Sequence, residues 1–261
     1  MKRLEIIPNY NEIEQSVALA KQYDCAFEFN DFYFPEVLDD RKRQEQIINH
    51  YAKYHPNFSE DTIHGAFLDI VVHSADSAIR DISKKRVRQS MEIAKQMQVR
   101  GVVFHTGRLA NFRQEAYLSN WIQKNSIFFR QIAAEFPEQD IYMENMFDEA
   151  PDMLARLAEC MKDVPNFAVC LDYAHAALTP HDQEEWVRQL APYIRHMHLN
   201  DNDLKDDLHQ ALGDGKINWK AFHSYVNQYH LQSSVLVEVN DIKKQRQSLE
   251  YMKENRIYPF G

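Results

Sequence analysis

Several features that would each indicate a particular class of protein are scarce or missing in this sequence. Only six of its 261 residues are glycine, and only three, Cys25, Cys160 and Cys170, are cysteine. An odd number of widely spaced cysteines is typical of reduced thiols and fits neither a disulfide framework nor a cysteine-rich zinc motif. No stretch approaches the ~18 consecutive apolar residues that a membrane span needs, so we expect no membrane association.

Positively charged residues are outnumbered by acidic ones, and the first residues do not resemble a targeting segment. Lys plus Arg total 30 against 39 Asp plus Glu, a net charge of -9, so the average surface should repel phosphate backbones. Nucleic acid is therefore a disfavoured partner, although not an excluded one, because several metal ions in one pocket can attract a phosphate. The first residues, Met1 to Pro8, lack the apolar stretch of a secretory signal, and we expect a cytoplasmic protein.

What the sequence does contain is an alternation of short apolar runs with longer amphipathic segments. The predicted strands are Leu4 to Pro8, Ala26 to Asn30, Thr62 to Ala66, Gly101 to His105, Asp140 to Asn145, Phe167 to Asp172, Ile194 to Leu199 and Ser234 to Val239. The predicted helices are Glu12 to Tyr23, Glu36 to Tyr54, Ile79 to Met97, Glu115 to Phe136, Pro151 to Met161, Glu184 to Tyr193, Trp219 to Tyr229 and Lys243 to Asn255.

This alternation predicts a single-domain α/β protein, a (β/α)8 TIM barrel over residues 1–261, because eight strands each followed by a helix close a barrel of about this length. The structural alternative is a doubly wound open sheet. Such a sheet usually has fewer strands, and no glycine-rich turn follows the first predicted strand here.

Histidines and acidic residues fall at or near the ends of the last six predicted strands. They are His64, His105, Glu144, Asp172, His198 and Glu238. In a closed barrel such side chains point inward and converge on one rim. Grouped carboxylates repel one another and lose solvation, a cost that bound cations remove. Imidazole and carboxylate ligands suit zinc, manganese, iron or cobalt better than calcium.

Three further residues extend this ligand set. His175 stands three residues after Asp172, where the turn that leaves the strand can bring both to one site. Asp207 and His209 lie on a long loop after the seventh predicted strand. Alternate residues of an extended segment project on the same side, so these two can bind one ion.

Two charged residues are candidates for substrate binding. Arg108, just past His105, can face a substrate phosphate or can be a solvated loop charge. Glu28, on the second predicted strand, can contact substrate at the barrel mouth or make a hydrogen bond at the rim. Residue type and position leave both alternatives open.

Seven short segments carry a resemblance to a known family. They are His64-Gly65-Ala66, Val103 to Gly107, Tyr142 to Asn145, Leu171 to Ala176, His196 to Asp201, Asp207 to Gly215 and Val237-Glu238. In this order they resemble the xylose isomerase-like superfamily of TIM barrels, which contains endonuclease IV and many sugar isomerases and epimerases. The resemblance spans nearly the whole chain.

The resemblance implies two alternative ligand sets. In the epimerase branch, residues that match Glu144, Asp172, His198 and Glu238 bind one metal ion, and the two glutamates also move protons. In the endonuclease IV branch, three zinc ions are held by residues that match His64, His105, Glu144, Asp172, His175, His198, Asp207, His209 and Glu238. The expected cofactor is therefore one to three divalent ions, zinc or manganese.

Two segments depart from the endonuclease pattern. Met146 to Pro151 replaces the small-residue run of that branch and looks more like the sugar enzymes. The loop from Phe67 to His73 is apolar and acidic where a DNA-inserting loop would be polar and aromatic. Both features favour a small-molecule substrate over DNA.

Two enzymatic hypotheses follow from these residues. The first is isomerisation or epimerisation of a sugar or sugar phosphate: a metal stabilises an enediolate oxygen, Glu144 and Glu238 remove and return a proton, and His175 orients a substrate oxygen. The alternative is metal-dependent phosphoester or phosphodiester hydrolysis of the endonuclease IV type, with three zinc ions. A non-enzymatic barrel would show a gap in the ligand set, and this sequence shows none. An oligomer is possible.

Overall fold

The short apolar runs of the sequence form the strands of a closed parallel barrel. The computed structural model describes residues 3–67, 69–109 and 112–261, so Leu68 of the predicted loop lies outside the described residues. The strands are β1 (Leu4–Ile6), β2 (Cys25–Phe29), β3 (Thr62–His64), β4 (Gly101–His105), β5 (Asp140–Glu144), β6 (Phe167–Asp172), β7 (Ile194–Leu199) and β8 (Ser234–Val237). Each strand pairs with the next, and β8 closes on β1. The predicted TIM barrel is confirmed.

The helices surround the barrel and follow the predicted amphipathic segments closely. They are α1 (Ile13–Tyr23), α2 (Pro35–Leu38), α3 (Arg41–Ala52), α4 (Ser77–Met97), α5 (Glu115–Glu135), α6 (Asp152–Cys160), α7 (Tyr173–Ala177), α8 (Gln183–Leu190), α9 (Trp219–Gln228) and α10 (Ile242–Glu254). No helix within the described residues is long and apolar enough to cross a bilayer.

Two helices differ from the sequence-based expectation. The sequence predicts one helix from Glu36 to Tyr54, but the segment divides at Asp40 into α2 and α3. Asp40 has an extended backbone, and its carboxylate accepts a hydrogen bond from the Arg43 N–H at 3.0 Å, which caps α3 and contributes about 1 kcal/mol. The second difference is α7, a short helix that begins directly after β6 and carries His175.

The interior of the barrel is unusually polar. TIM barrels normally fill this space with layers of branched apolar side chains. Here the fully buried side chains include Glu5, Glu28, Thr62 and His196, while the main apolar core lies between the strands and the helices. Five of the predicted ligands, His64, His105, Glu144, Asp172 and His198, stand at or near the carboxyl ends of their strands, and Glu238 follows β8 directly.

Candidate metal centre and active site

Glu144, the last residue of β5, lies at the centre of the predicted ligand set and is fully buried. One carboxylate oxygen, Oε2, lies 3.6 Å from Nε2 of His64 and 3.3 Å from Nε2 of His105. The other, Oε1, lies 3.4 Å from Nδ1 of His198 and 3.6 Å from Nδ1 of His175. A single carboxylate therefore faces histidines from two sides, the arrangement of a group that can bridge two ions.

The nine predicted ligands divide into three groups whose ligand atoms lie within 4.8 Å of one another. The groups are His64, His105 and Glu144; Glu144, Asp172, His198 and Glu238; and His175, Asp207 and His209. Closure of the barrel brings together residues that are nearly two hundred positions apart. Because Glu144 belongs to the first two groups, and His175 also approaches it, the three candidate sites form one continuous cluster.

Three of the histidines have one ring nitrogen occupied by the backbone. Nδ1 of His64, His175 and His209 lies 2.9 Å from the carbonyl oxygens of Gly65, Asn145 and Glu238, respectively. A neutral ring whose Nδ1–H donates to a carbonyl keeps its lone pair on Nε2, and metal-binding histidines are commonly oriented in this way. Nε2 of His175 and of His209 lies 3.3 and 3.2 Å from Oδ2 of Asp207.

Comparison with known proteins identifies the family of this barrel. The family model for the xylose isomerase-like TIM barrel matches residues 17–255. The chain belongs to this family. The expectation from the sequence motifs is thereby confirmed.

Solved structures of low sequence identity share the fold over nearly their whole length. A D-tagatose 3-epimerase-like protein is 22% identical with a TM-score of 0.75, and the match covers 97% of this chain and 96% of that one. The TTHB071 protein from Thermus thermophilus, in a structure soaked with ZnCl2, is 20% identical with a TM-score of 0.75 and 97% coverage of both chains. D-psicose 3-epimerase with D-tagatose, from Clostridium cellulolyticum H10, is 15% identical with a TM-score of 0.71 and 98% coverage of both. At these identities the likeness shows the shared barrel.

The buried donor atoms of this family member fit a divalent metal. Both carboxylate oxygens of Glu144, Oδ2 of Asp172 and both ring nitrogens of His198 are buried and have no hydrogen-bond partner within the described part of the chain. Burying such groups without partners costs several kcal/mol in total. A cation bound among them removes that cost, and the mixture of nitrogen and oxygen ligands suits zinc or manganese.

In the metal-free cluster, burial and neighbouring charges raise the pKa values of some of the predicted ligands. Burial raises the pKa of Asp172 to about 7, and the neighbouring carboxylates of Glu238 and Glu144 add to this effect. Burial would lower the pKa of His209, but the carboxylates of Asp207 and Glu238 outweigh it and raise that pKa to about 10. A metal ion that binds here therefore has to displace protons.

A cavity of about 210 Å³ opens above the cluster at the carboxyl ends of the strands. Six of the nine predicted ligands line it, whereas Glu144, Asp172 and His198 lie deeper. Sequence reasoning missed the other lining residues, which are Asn30, Tyr33, Phe67, Met146 and Asn240. Their positions just after strands β2, β3, β5 and β8 could have identified them as residues of the barrel mouth, whereas their residue types do not indicate a site.

The two predicted substrate-binding charges lie outside the residues that line this cavity. Arg108 is not a solvated loop charge, because its side chain is 5% exposed and lies 3.8 Å from Oδ1 of Asp148. Glu28 is fully buried in the barrel interior, where Oε1 lies 3.3 Å from Nε2 of His198. Glu28 therefore contacts a candidate metal ligand inside the barrel and does not line the cavity, and its predicted role in substrate binding stays a prediction.

Proposed function

We propose that this chain is a metal-dependent isomerase or epimerase of a sugar or sugar phosphate. The observation that carries the proposal is the buried group of Glu144, Asp172, His198 and Glu238 at the base of a cavity of about 210 Å³. A cavity of this size suits a small-molecule substrate. Membership of a family named for xylose isomerase, and a barrel shared with sugar epimerases, support the same substrate class.

Glu144 and Glu238 are the groups that would move the proton. Their carboxylates approach Nδ1 of His198 to 3.4 and 3.5 Å, respectively. Burial alone would raise the pKa of Glu144, but the facing His198 and His105 outweigh it and hold that pKa well below its usual range. Burial likewise would raise the pKa of Glu238, and His198 outweighs it and lowers that pKa. Both groups are therefore ionised at neutral pH and can accept a proton.

The reaction is a proton transfer next to the substrate carbonyl. One glutamate removes the proton from the carbon next to the carbonyl and becomes a carboxylic acid. For isomerisation the same acid returns this proton to the neighbouring carbon; for epimerisation the other glutamate, after taking up a proton from water, protonates the opposite face. When bound by the four-residue group, a divalent ion would polarise the carbonyl and so make the adjacent proton more acidic. His175, which lines the cavity, would orient a substrate oxygen.

A second candidate function is hydrolysis of a small phosphodiester. It is favoured by the two further ligand groups, His64 with His105 and His175 with Asp207 and His209, because a single-ion mechanism gives a role to His175 alone among these five residues. Two-metal and three-metal sites stabilise both the attacking and the leaving oxygen of a phosphoester. The small cavity and the net charge of -9 argue against duplex DNA as the substrate.

One set of assays distinguishes the two candidate functions. Protein stripped of metal and reloaded with Zn²⁺ or Mn²⁺ is incubated in D2O with a panel of ketoses and ketose phosphates, and deuterium incorporation is followed by NMR. Parallel samples receive bis(4-nitrophenyl) phosphate or an oligonucleotide with an abasic site. Exchange without hydrolysis supports the proposal, and hydrolysis without exchange replaces it by the second candidate.

A matched pair of variants tests the role of Glu238. Glu238→Gln should lower the exchange rate by at least about a hundredfold, because the neutral amide cannot accept the proton. Glu149→Gln is the control, since Glu149 lies on the nearby loop after β5 and pairs with Arg113 at 2.7 Å, away from the ligand groups. Equal losses in both variants would remove the assignment of Glu238.

A further inference from the structure

A column of polar side chains continues from the metal cluster down into the barrel. We define the polar column as Glu5, Glu28, Thr62, Arg100 and His196. All but Arg100 are fully buried, in a space that TIM barrels usually fill with apolar side chains. Charged groups in such a place are costly unless they are paired and hydrogen-bonded, and the contact between the column and the cluster indicates the site on which the column acts.

Glu28 is the residue through which the column meets the cluster. Its Oε1 lies 3.3 Å from Nε2 of His198. Both atoms are buried, and neither has a hydrogen-bond partner among the residues that the structure describes. The other nitrogen of the ring, Nδ1, faces Glu144 and Glu238. A proton on Nε2, directed at Glu28, leaves the Nδ1 lone pair facing the ligand group.

The other oxygen of Glu28 is held in place by two donors. Oε2 shares the single proton of the Thr62 hydroxyl with Glu5, at oxygen–oxygen distances of 2.8 and 2.6 Å, and accepts a hydrogen bond from Nε2 of His196 at 3.2 Å. The remaining nitrogen of His196, Nδ1, lies 2.6 Å from the hydroxyl of Ser234, which can donate to it. These contacts fix the carboxylate plane of Glu28, so that Oε1 is directed at Nε2 of His198.

At the lower end of the column, hydrogen bonds rather than a metal ion hold this arrangement in place. Glu5 accepts a hydrogen bond from the Arg100 guanidinium and shares the Thr62 hydroxyl with Glu28. Glu5, Glu28 and His196 also lie close enough together to suggest a metal site. Arg100 and Thr62 already supply donors to those carboxylates, and both nitrogens of His196 are engaged. The column is therefore a hydrogen-bonded support rather than a second metal centre.

We propose that Glu28 is a positioning residue that holds the His198 ring in the orientation and tautomer in which Nδ1 binds a divalent ion. The contact resembles the carboxylate–histidine pairs that raise the basicity of metal-binding imidazoles in many enzymes. The inference rests on the metal dependence of the proposed function but not on the sugar as substrate. The inference assigns Glu28, which does not line the cavity, a role in the metal site that contains His198.

The test compares Glu28→Gln with a matched variant at the other end of the barrel. Asp61→Asn serves as the control because Asp61 is also a fully buried carboxylate that contacts a histidine, 2.7 Å from Nε2 of His55. Zn²⁺ and Co²⁺ affinities of the full chain are measured by competition with a chromogenic chelator. The tautomer of His198 is measured by the ¹⁵N shifts of its ring, and folding by thermal unfolding without metal.

The expected result is a selective loss of metal affinity. Glu28→Gln should weaken the tightest site by roughly tenfold to a hundredfold and change the ring shifts of His198, while Asp61→Asn leaves both unchanged. If Glu28→Gln fails to fold, Thr62→Val provides the second variant. By removing one of the two donors that orient Glu28, it should weaken metal binding by roughly threefold.

Other outcomes overturn the inference in distinguishable ways. Native affinity and native ring shifts in Glu28→Gln would remove the role of Glu28 while leaving the proposed function intact. An equal loss of affinity in Asp61→Asn would show a general effect of deleting a buried carboxylate. A native protein that binds metal but exchanges no sugar proton would contradict the proposed function alone, and one that binds no metal would contradict both.

Discussion

Asp172 caps the helix that carries His175. Its Oδ1 accepts a hydrogen bond from the His175 backbone N–H at 2.6 Å, which starts α7 immediately after β6. Its Oδ2 lies 3.5 Å from Nδ1 of the same histidine and has no hydrogen-bond partner within the described residues. One carboxylate thus starts a helix with one oxygen and presents the other to the metal cluster.

This double role predicts different effects for two substitutions. Asp172→Asn should fold with near-native stability, because an asparagine side chain also caps helices, but it should bind metal at least about tenfold more weakly. Asp172→Ala should lose the cap as well, and its free energy of unfolding without metal should fall by about 1 kcal/mol more than that of Asp172→Asn. Chemical denaturation in a chelator and metal titration measure the two effects separately. Equal stability of the two variants would contradict the cap.

Metal removal should lower the thermal stability of the protein. An ion that binds only the folded chain at a hundred times its dissociation constant contributes about 2.7 kcal/mol, which corresponds to a Tm increase of roughly 5 to 10 °C in a protein of this size. Thermal unfolding with excess Zn²⁺ and with EDTA measures the difference. Glu144→Gln should abolish most of it, because Glu144 belongs to two of the ligand groups. A chelator-independent Tm would contradict a metal site in the cluster.

Metal binding at the third group should strengthen as pH rises. Asp207 and Glu238 raise the pKa of His209 to about 10 against the opposing effect of burial, so the metal-free ring is protonated at pH 7. The ion must displace that proton, and the displacement becomes easier as the pH approaches 10. Calorimetry in buffers of different ionisation enthalpy should detect proton release at pH 7, and His209→Asn should release fewer protons. Identical proton release in the native protein and the variant would contradict this assignment.

His73 predicts a second pH effect, outside the metal cluster. Burial lowers the pKa of His73 to about 4, against about 6.5 in an unfolded chain. Between these values the unfolded chain binds a proton that the folded protein does not, so the free energy of unfolding should fall as pH decreases from 6.5 to 4. His73→Phe should keep the ring contacts with Tyr117 and Trp121 and flatten this fall by about 2 kcal/mol. Urea unfolding across this pH range compares the two proteins, and parallel curves would contradict the buried neutral ring.

The sequence alone predicted the barrel and the composition of the cluster. Apolar runs separated by amphipathic segments fix the order of strands and helices, and side chains at strand ends in a closed barrel must converge. His64 and Glu238 could therefore be assigned to one site although they lie far apart in sequence. The sites themselves stay predictions until metal is measured.

Tertiary structure alone decided the contacts between strands. The division of α2 from α3, by contrast, is local: it depends on a cap at Asp40, which the helical periodicity of the segment does not reveal. The burial of Arg108 and the contact of Glu28 with His198 depended on barrel closure and register, which set the distances between side chains of different strands and of the loops that follow them. Strand periodicity determines only which face of the sheet a side chain occupies. The sequence therefore placed Glu28 on a strand of the barrel but did not place it next to His198. Its place beneath a candidate metal ligand followed from the packing of β2 and β7 across the closed barrel.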